Sequence, residues 1–122
     1  MIESKLDTQD MEVVRQLALA HYKAGLLCQA QEDVNESIEH LEKGLNSIKL
    51  TGDDNQDTEA MIADTLGVLY ASKDDYSKAK QYFSDSYSLY ERTLGREHMT
   101  TSECAFRLGK MISTLVIRSR SS

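Results

Sequence analysis

Proline and tryptophan are absent from the 122 residues of this chain, and glycine occurs only six times. Without proline, no helix is cut or kinked by a missing backbone N–H, so long uninterrupted helices are permitted. Cysteine is scarce as well: Cys28 and Cys104 stand far apart, with no CxxC or Cys/His spacing. That argues against a zinc finger, a redox motif or a disulfide framework, and both read as buried free thiols on apolar helix faces. Free thiols fit a reducing compartment, so a cytoplasmic location is the expectation. No run approaches the roughly 18 consecutive apolar residues of a membrane-spanning helix, and residues 1–7 lack the apolar core of a secretory signal. Excess positive charge is missing too. Lys and Arg number 14 against 20 Asp and Glu, a net charge of −6. This balance argues against a phosphate-backbone footprint, and so against nucleic acid, and suits a basic or neutral peptide partner.

What the chain does contain is a repeat. A shift of 42 residues carries Gly25 onto Gly67 and Gly67 onto Gly109. The same shift pairs Ala18 with Ala60, Leu27 with Leu69, Asp33 with Asp75, Thr51 with Thr93 and Thr58 with Thr100. Leu41 falls on Phe83 and Leu66 on Leu108, keeping apolar character. A helical unit of this size cannot bury its apolar face alone, so copies stack into a solenoid, an architecture that mostly binds other proteins.

Five helices follow from 3.6-residue periodicity and cap signals. The first is expected from Asp10 to about Gln31, with Val14, Leu17, Ala18, Ala24, Gly25 and Cys28 on or near one face. Residues 1–9 read as a flexible lead-in. Asp33, with Glu36 three residues on, caps a second helix whose stripe of Val34, Ile38, Leu41, Leu45 and Ile48 is the cleanest in the chain. Gly52 fits the left-handed position past its end, and Asp53, Asp54 and Asp57 sit in a polar loop as capping carboxylates. A third helix spans about Thr58 to Ser72 through Ile62, Leu66, Leu69 and Tyr70. Asp74 and Asp75 mark a turn and cap. The fourth runs from Tyr76 to Leu94 through Ala79, Phe83, Tyr87 and Tyr90, ended by Gly95. Thr100 and Glu103 form a second capping box for a fifth helix, about Thr101 to Arg118, with Ala105, Leu108, Met111, Ile112 and Leu115 inward. Residues 119–122 read as a disordered tail. The whole is an all-α, antiparallel helix-hairpin solenoid: repeats at about 18–59 and 60–101, and a half repeat at 102–118.

The third and fourth helices resemble the tetratricopeptide repeat. Its pattern of Leu-Gly-x-x-Tyr, then small, aromatic and small residues in the second helix, is met by Leu66, Gly67 and Tyr70, then Ala79, Phe83 and Ser86. Ala24, Gly25, Cys28, Ser37, Leu41 and Gly44 stand at the matching places of the first copy; Leu108, Gly109 and Ile112 open the third. A 42-residue period and the stretch Arg92-Thr93-Leu94-Gly95-Arg96-Glu97-His98 resemble the kinesin-light-chain-like branch, although Asp64 and Thr65 replace that branch's paired asparagines.

The resemblance implies a concave groove lined by the first helix of each pair. Carried over, the groove takes Leu19, Tyr22, Leu26 and Gln29 from copy one. Met61, Asp64, Thr65, Val68 and Ala71 come from copy two, and Phe106, Arg107 and Lys110 from copy three. A mixed surface of this kind suits an extended or helical peptide. The lysine–asparagine clamp for a C-terminal carboxylate is not recognisable.

No catalytic constellation emerges. His21, His40 and His98 lie in different elements, with no serine or cysteine placed for activation. Glu36 and His40 share a face at i,i+4, where a solvated ion pair explains them better than a metal. The cluster Asp53, Asp54 and Asp57 lacks the central glycine and final glutamate of a calcium loop. Neither cofactor nor metal is expected. Of the tyrosines, Tyr82 is expected to be the exposed one. The fifth helix has apolar side chains on more than one face, so the chain is either an excerpt of a longer array or pairs there with another molecule. Ile112, Leu115 and Val116 are the candidates for such self-association as a homodimer.

Overall fold

A computed structural model describes residues 8–30 and 33–121. It contains α1 (Thr8–Ala30), α2 (Val34–Lys49), α3 (Gln56–Ser72), α4 (Tyr76–Leu94) and α5 (Met99–Ser121), with a 3-10 turn over Gly52–Asn55 before α3. No strand occurs among the described residues, so the fold is all-α. The chain divides into two compact units, one ending at Thr58 and the other beginning at Glu59.

The first unit is a hairpin of α1 and α2. Ile38, Leu41, Leu45 and Ile48 are buried as their spacing requires, and Val34 is half-buried. Full burial of a side chain such as Leu41 or Ile48 is worth about 1.5–3 kcal/mol. Leu41 rests on Gly25, where a Cβ would lie 2.8 Å from Leu41 Cγ and 3.2 Å from the Ser37 carbonyl. Ser37 donates from Oγ to the Gly25 carbonyl at 2.6 Å, so two small residues let the backbones close on one another. The His21 and His40 rings lie 5.8 Å apart, centroid to centroid. From His21–His40 to Gly25–Ser37 the contacts climb along α1 and descend along α2, as antiparallel helices do. Asp33 Oδ1 accepts the Glu36 N–H at 3.1 Å, capping α2, and Gly52 follows its end at a φ of 64°, a left-handed conformation that glycine takes without strain.

The second unit holds α3, α4 and α5. Ile62, Leu66, Leu69 and Tyr70 of α3 and Ala79, Phe83 and Tyr90 of α4 are buried, with Tyr87 half-buried, as the periodicity predicts. A Cβ at Gly67 would lie 2.6 Å from the Phe83 ring, and Ser86 Oγ donates to the Ala60 carbonyl at 2.8 Å. Asp75 caps α4 through the Lys78 N–H at 3.3 Å. Before it, Asp74 takes a left-handed φ of 62°, which aspartate tolerates better than most residues. Packed on α4, α5 runs antiparallel to it: Thr101 Oγ1 donates to the Tyr90 carbonyl at 3.4 Å, Cys104 Sγ to that of Phe83 at 3.5 Å, and the Arg118 guanidinium stands 4.5 Å over the Tyr76 ring.

Several expectations need correction. The helix α1 is already formed at Thr8 and ends at Ala30; the rest of the lead-in, residues 1–7, and Gln31 lie outside the described residues. Leu17 is half exposed, at 50%, because Ala18 and Gly25 fix which side of α1 meets α2. The 3-10 turn leads directly into α3 at Gln56, so Asp57 falls inside its first turn, accepting the Thr58 N–H at 2.9 Å. Met99 opens α5, and His98 Nδ1 accepts the Thr100 N–H at 3.1 Å. An imidazole thus caps this helix in place of the Thr100–Glu103 box. At its far end α5 extends past Arg118 to Ser121. Its inward line is Thr101, Cys104, Leu108, Met111 and Leu115, while Ala105 and Ile112 are exposed. The bonds of Thr101 and Cys104 to α4 carbonyls set that rotation. Tyr82 is half-buried, its ring stacked on Tyr70 at 5.6 Å and 10°.

Candidate functional site

In the second unit, α3 and α5 present one surface together, and an ion pair joins them. Arg107 donates to Asp64 Oδ2 at 2.8 Å. Asp64 is largely buried, its other oxygen, Oδ1, included, and its carboxylate interacts with the Cys104 side chain as well as with Arg107. Burial raises the Asp64 carboxyl above its ordinary 3.8, and the Arg107 guanidinium opposes that rise without cancelling it. Beneath the pair lies the Cys104 thiol, pushed up to about 11 by burial, and therefore neutral at physiological pH.

Around Asp64 the expected residues fall in order along α3. Met61, Thr65 and Ala71 are half-buried, and Val68 is exposed. Thr65 Oγ1 donates back to the Met61 carbonyl at 3.0 Å, as mid-helix threonines do. On α5, Phe106 and Lys110 are exposed one turn apart, with Lys110 Nζ 5.6 Å from the Phe106 ring centroid. In the first unit, Leu19 and Tyr22 are half-buried and Leu26 is exposed along one face of α1. The side chains of Cys28 and Gln29 lie outside the described part. Of the self-association candidates, Ile112 and Val116 are exposed, whereas Leu115 is half-buried facing α4.

Two features, one in each unit, escape a reading of the sequence by motif. Asp64 and Arg107 are 43 residues apart, one more than the repeat, so the period itself signals that they sit on neighbouring equivalent helices. The approach of His21 to His40 follows from the antiparallel register of the first hairpin. The Glu36 carboxylate stands 4.0 Å from His40 Nε2, and no group of three metal-ligating side chains occurs among the described residues. No helix among them is long and apolar enough to cross a membrane.

Equivalent glycines seated under Leu41 and Phe83 in two hairpins are what a helical repeat family requires, and the model described as tetratricopeptide repeat matches residues 16–92. The chain belongs to the tetratricopeptide repeat family. Proteins with these repeats generally use them to bind other proteins, without catalysis. No curated protein matches the chain. The match covers α3 but ends before α5; by the 42-residue shift Asp64 corresponds to Phe106, the neighbour of Arg107.

Proposed function

We propose that this tetratricopeptide repeat chain is a non-enzymatic interaction module, part of a cytoplasmic scaffold or adaptor, that binds a peptide or protein segment on the first helices of its repeats. The observation that carries this reading is the Asp64–Arg107 pair, which joins α3 to α5 on one surface. Beside it, Phe106 offers an exposed ring and Lys110 a cation, so an extended segment finds apolar and polar contacts within one turn. The chain's net charge of −6 favours a basic or neutral segment. Leu19, Tyr22, Leu26 and Gln29 of α1 enter the same proposal through the family pattern, and the 42-residue period supports the kinesin-light-chain-like branch.

Binding of an array of extended peptides to the purified chain tests this reading. Affinity should fall with Arg107→Glu and with Tyr22→Ala while helicity is kept; unchanged affinity in both variants counts against the groove. Self-association through Ile112, Leu115 and Val116 is the second reading, favoured by the exposure of Ile112 and Val116. Light scattering on the wild type and on an Ile112→Asp/Leu115→Asp variant separates the two, and a monomer in both cases disposes of it.

A further inference from the structure

Across the first hairpin, the imidazoles of His21 on α1 and His40 on α2 lie with ring centroids 5.8 Å apart and planes tilted by 32°. Neither ring hydrogen-bonds to another described residue. His40 Nδ1 is buried without a partner, and its Nε2 stands 4.0 Å from Glu36 Oε1, beyond hydrogen-bond reach. Both rings are half-buried, so two packed helices fix their backbones while a small ion can still reach them. Glu36 and His40 by themselves give one imidazole on one helix face. The hairpin adds a second imidazole from another helix, which the spacing along α2 does not reveal.

The separation of the rings suits a shared ion. An imidazole nitrogen binds a metal at about 2.0–2.1 Å, which puts the metal about 3.2 Å from the ring centroid. Two rings on one ion therefore have centroids about 5.2 Å apart at a tetrahedral angle and about 6.4 Å apart on opposite sides. The observed 5.8 Å falls between these limits. Donor chemistry selects the ion: neutral imidazole suits zinc, nickel and copper, whereas calcium and magnesium require oxygen. Charge favours a cation here as well. Residues 1–58 hold twelve of the chain's 20 acidic residues and five of its 14 basic ones.

We propose that His21 and His40 together chelate one divalent transition-metal ion, of the zinc, nickel or copper class, and so clasp α1 to α2. No group of three metal-ligating side chains occurs among the described residues, so water completes the shell and the ion exchanges freely. Glu36 lends its negative charge from beside His40. The clasp acts on the helix that carries Leu19 and Tyr22. It belongs to the first unit, whereas the Asp64–Arg107 pair belongs to the second.

The test uses the full chain without an affinity tag, in a Cys28→Ser background that leaves only the buried Cys104 thiol. Calorimetric titration with ZnCl2 should show saturable binding of one ion per chain. Zinc should also raise the melting temperature by a few degrees, and EDTA should reverse the rise. His21→Ala and His40→Ala should each weaken binding about ten-fold or more and abolish the thermal shift. His98→Ala, in another element, should leave affinity within about two-fold. A measurement free of variants at either ring is long-range 1H–15N NMR of the imidazoles. On adding zinc, the nitrogen signals of His21 and His40 should shift together while those of His98 stay in place. The proposal is overturned by a lack of saturable binding up to about 1 mM zinc, by a shift confined to one ring, or by unchanged affinity in both histidine variants. Equal binding of MgCl2 overturns it too, since carboxylates would then hold the ion.

Discussion

Phe83 lies against Gly67 so closely that a single added methyl at 67 would come within 2.6 Å of its ring. The same repeat position is nearly as tight at Gly25, against Leu41 and the Ser37 carbonyl, and open at Gly109. One substitution therefore has two signs in one chain. Gly67→Ala and Gly25→Ala gain about 1 kcal/mol of helix propensity but force the hairpin apart, and overpacking of this kind costs about 1–3 kcal/mol. Both should lower the melting temperature. Gly109→Ala meets no obstacle and should raise it by a few degrees, corresponding to about 1 kcal/mol. Thermal unfolding followed by circular dichroism at 222 nm reads all three; a stabilising Gly67→Ala would show that the helices are not held together at that point.

Two buried hydroxyls fasten the hairpins. Ser37 reaches across to Gly25 in the first unit and Ser86 to Ala60 in the second, both on to helix carbonyls. Ser37→Ala and Ser86→Ala should each cost about 1 kcal/mol in urea unfolding. The loss is modest because the carbonyls keep their intrahelical partners. An unchanged midpoint in either variant would mean that the bond contributes nothing net.

How far this molecule could be read from its residues depends on which physical signal each part uses. The spacing of Ile38, Leu41, Leu45 and Ile48 identifies the buried side of α2, since one wide apolar stripe admits one orientation. Asp33 and Asp75 are recognisable caps, because a short acidic side chain before an apolar run has one local use. By contrast α5 has apolar residues all round, so periodicity could not choose between Ile112 and Cys104 as the inward residue. Hydrogen bonds to α4 carbonyls made that choice. His98 escaped notice as a cap because the Thr100–Glu103 pattern next to it mimics a capping box. In the candidate site, Arg107 and Asp64 could each be placed on the family's ligand-facing helices. Their pairing is tertiary, and only the repeat period hints at it.

Asp64 supplies a pH signature. Its carboxyl is raised above the ordinary 3.8, burial outweighing the attraction of Arg107. The folded chain therefore holds this proton more tightly than the unfolded chain does. The stabilisation linked to that proton is fully present below about 3.8 and is lost as pH rises through the folded value. Asp64→Asn has no such proton, and other carboxylates cancel in the comparison. The stability of the wild type relative to Asp64→Asn should accordingly increase as pH is lowered from 7 towards 3.5, measured by urea titration at each pH. A difference that shrinks on acidification would mean that the ion pair with Arg107 outweighs burial.

Cys104 gives a test of how firmly α5 is seated. Burial pushes its thiol up to about 11, and the sulfur is turned toward the Phe83 carbonyl. At pH 8 only about one thiol in a thousand would be ionised, against roughly a quarter of free cysteine with a pKa near 8.5. Ionisation alone thus slows attack on a disulfide reagent by at least about 100-fold, and occlusion by α4 slows it further. In a Cys28→Ser background, which leaves one thiol, Ellman's reagent should label Cys104 slowly in buffer and rapidly in denaturant. Raising the pH from 7 to 9 should accelerate the native reaction about ten-fold per unit, since the thiol stays far below its midpoint throughout. A Cys104 that reacts in native buffer as fast as free cysteine would show that α5 spends much of its time away from α4. The ion pair of Arg107 with Asp64, carried by the same helix, would then be a transient contact.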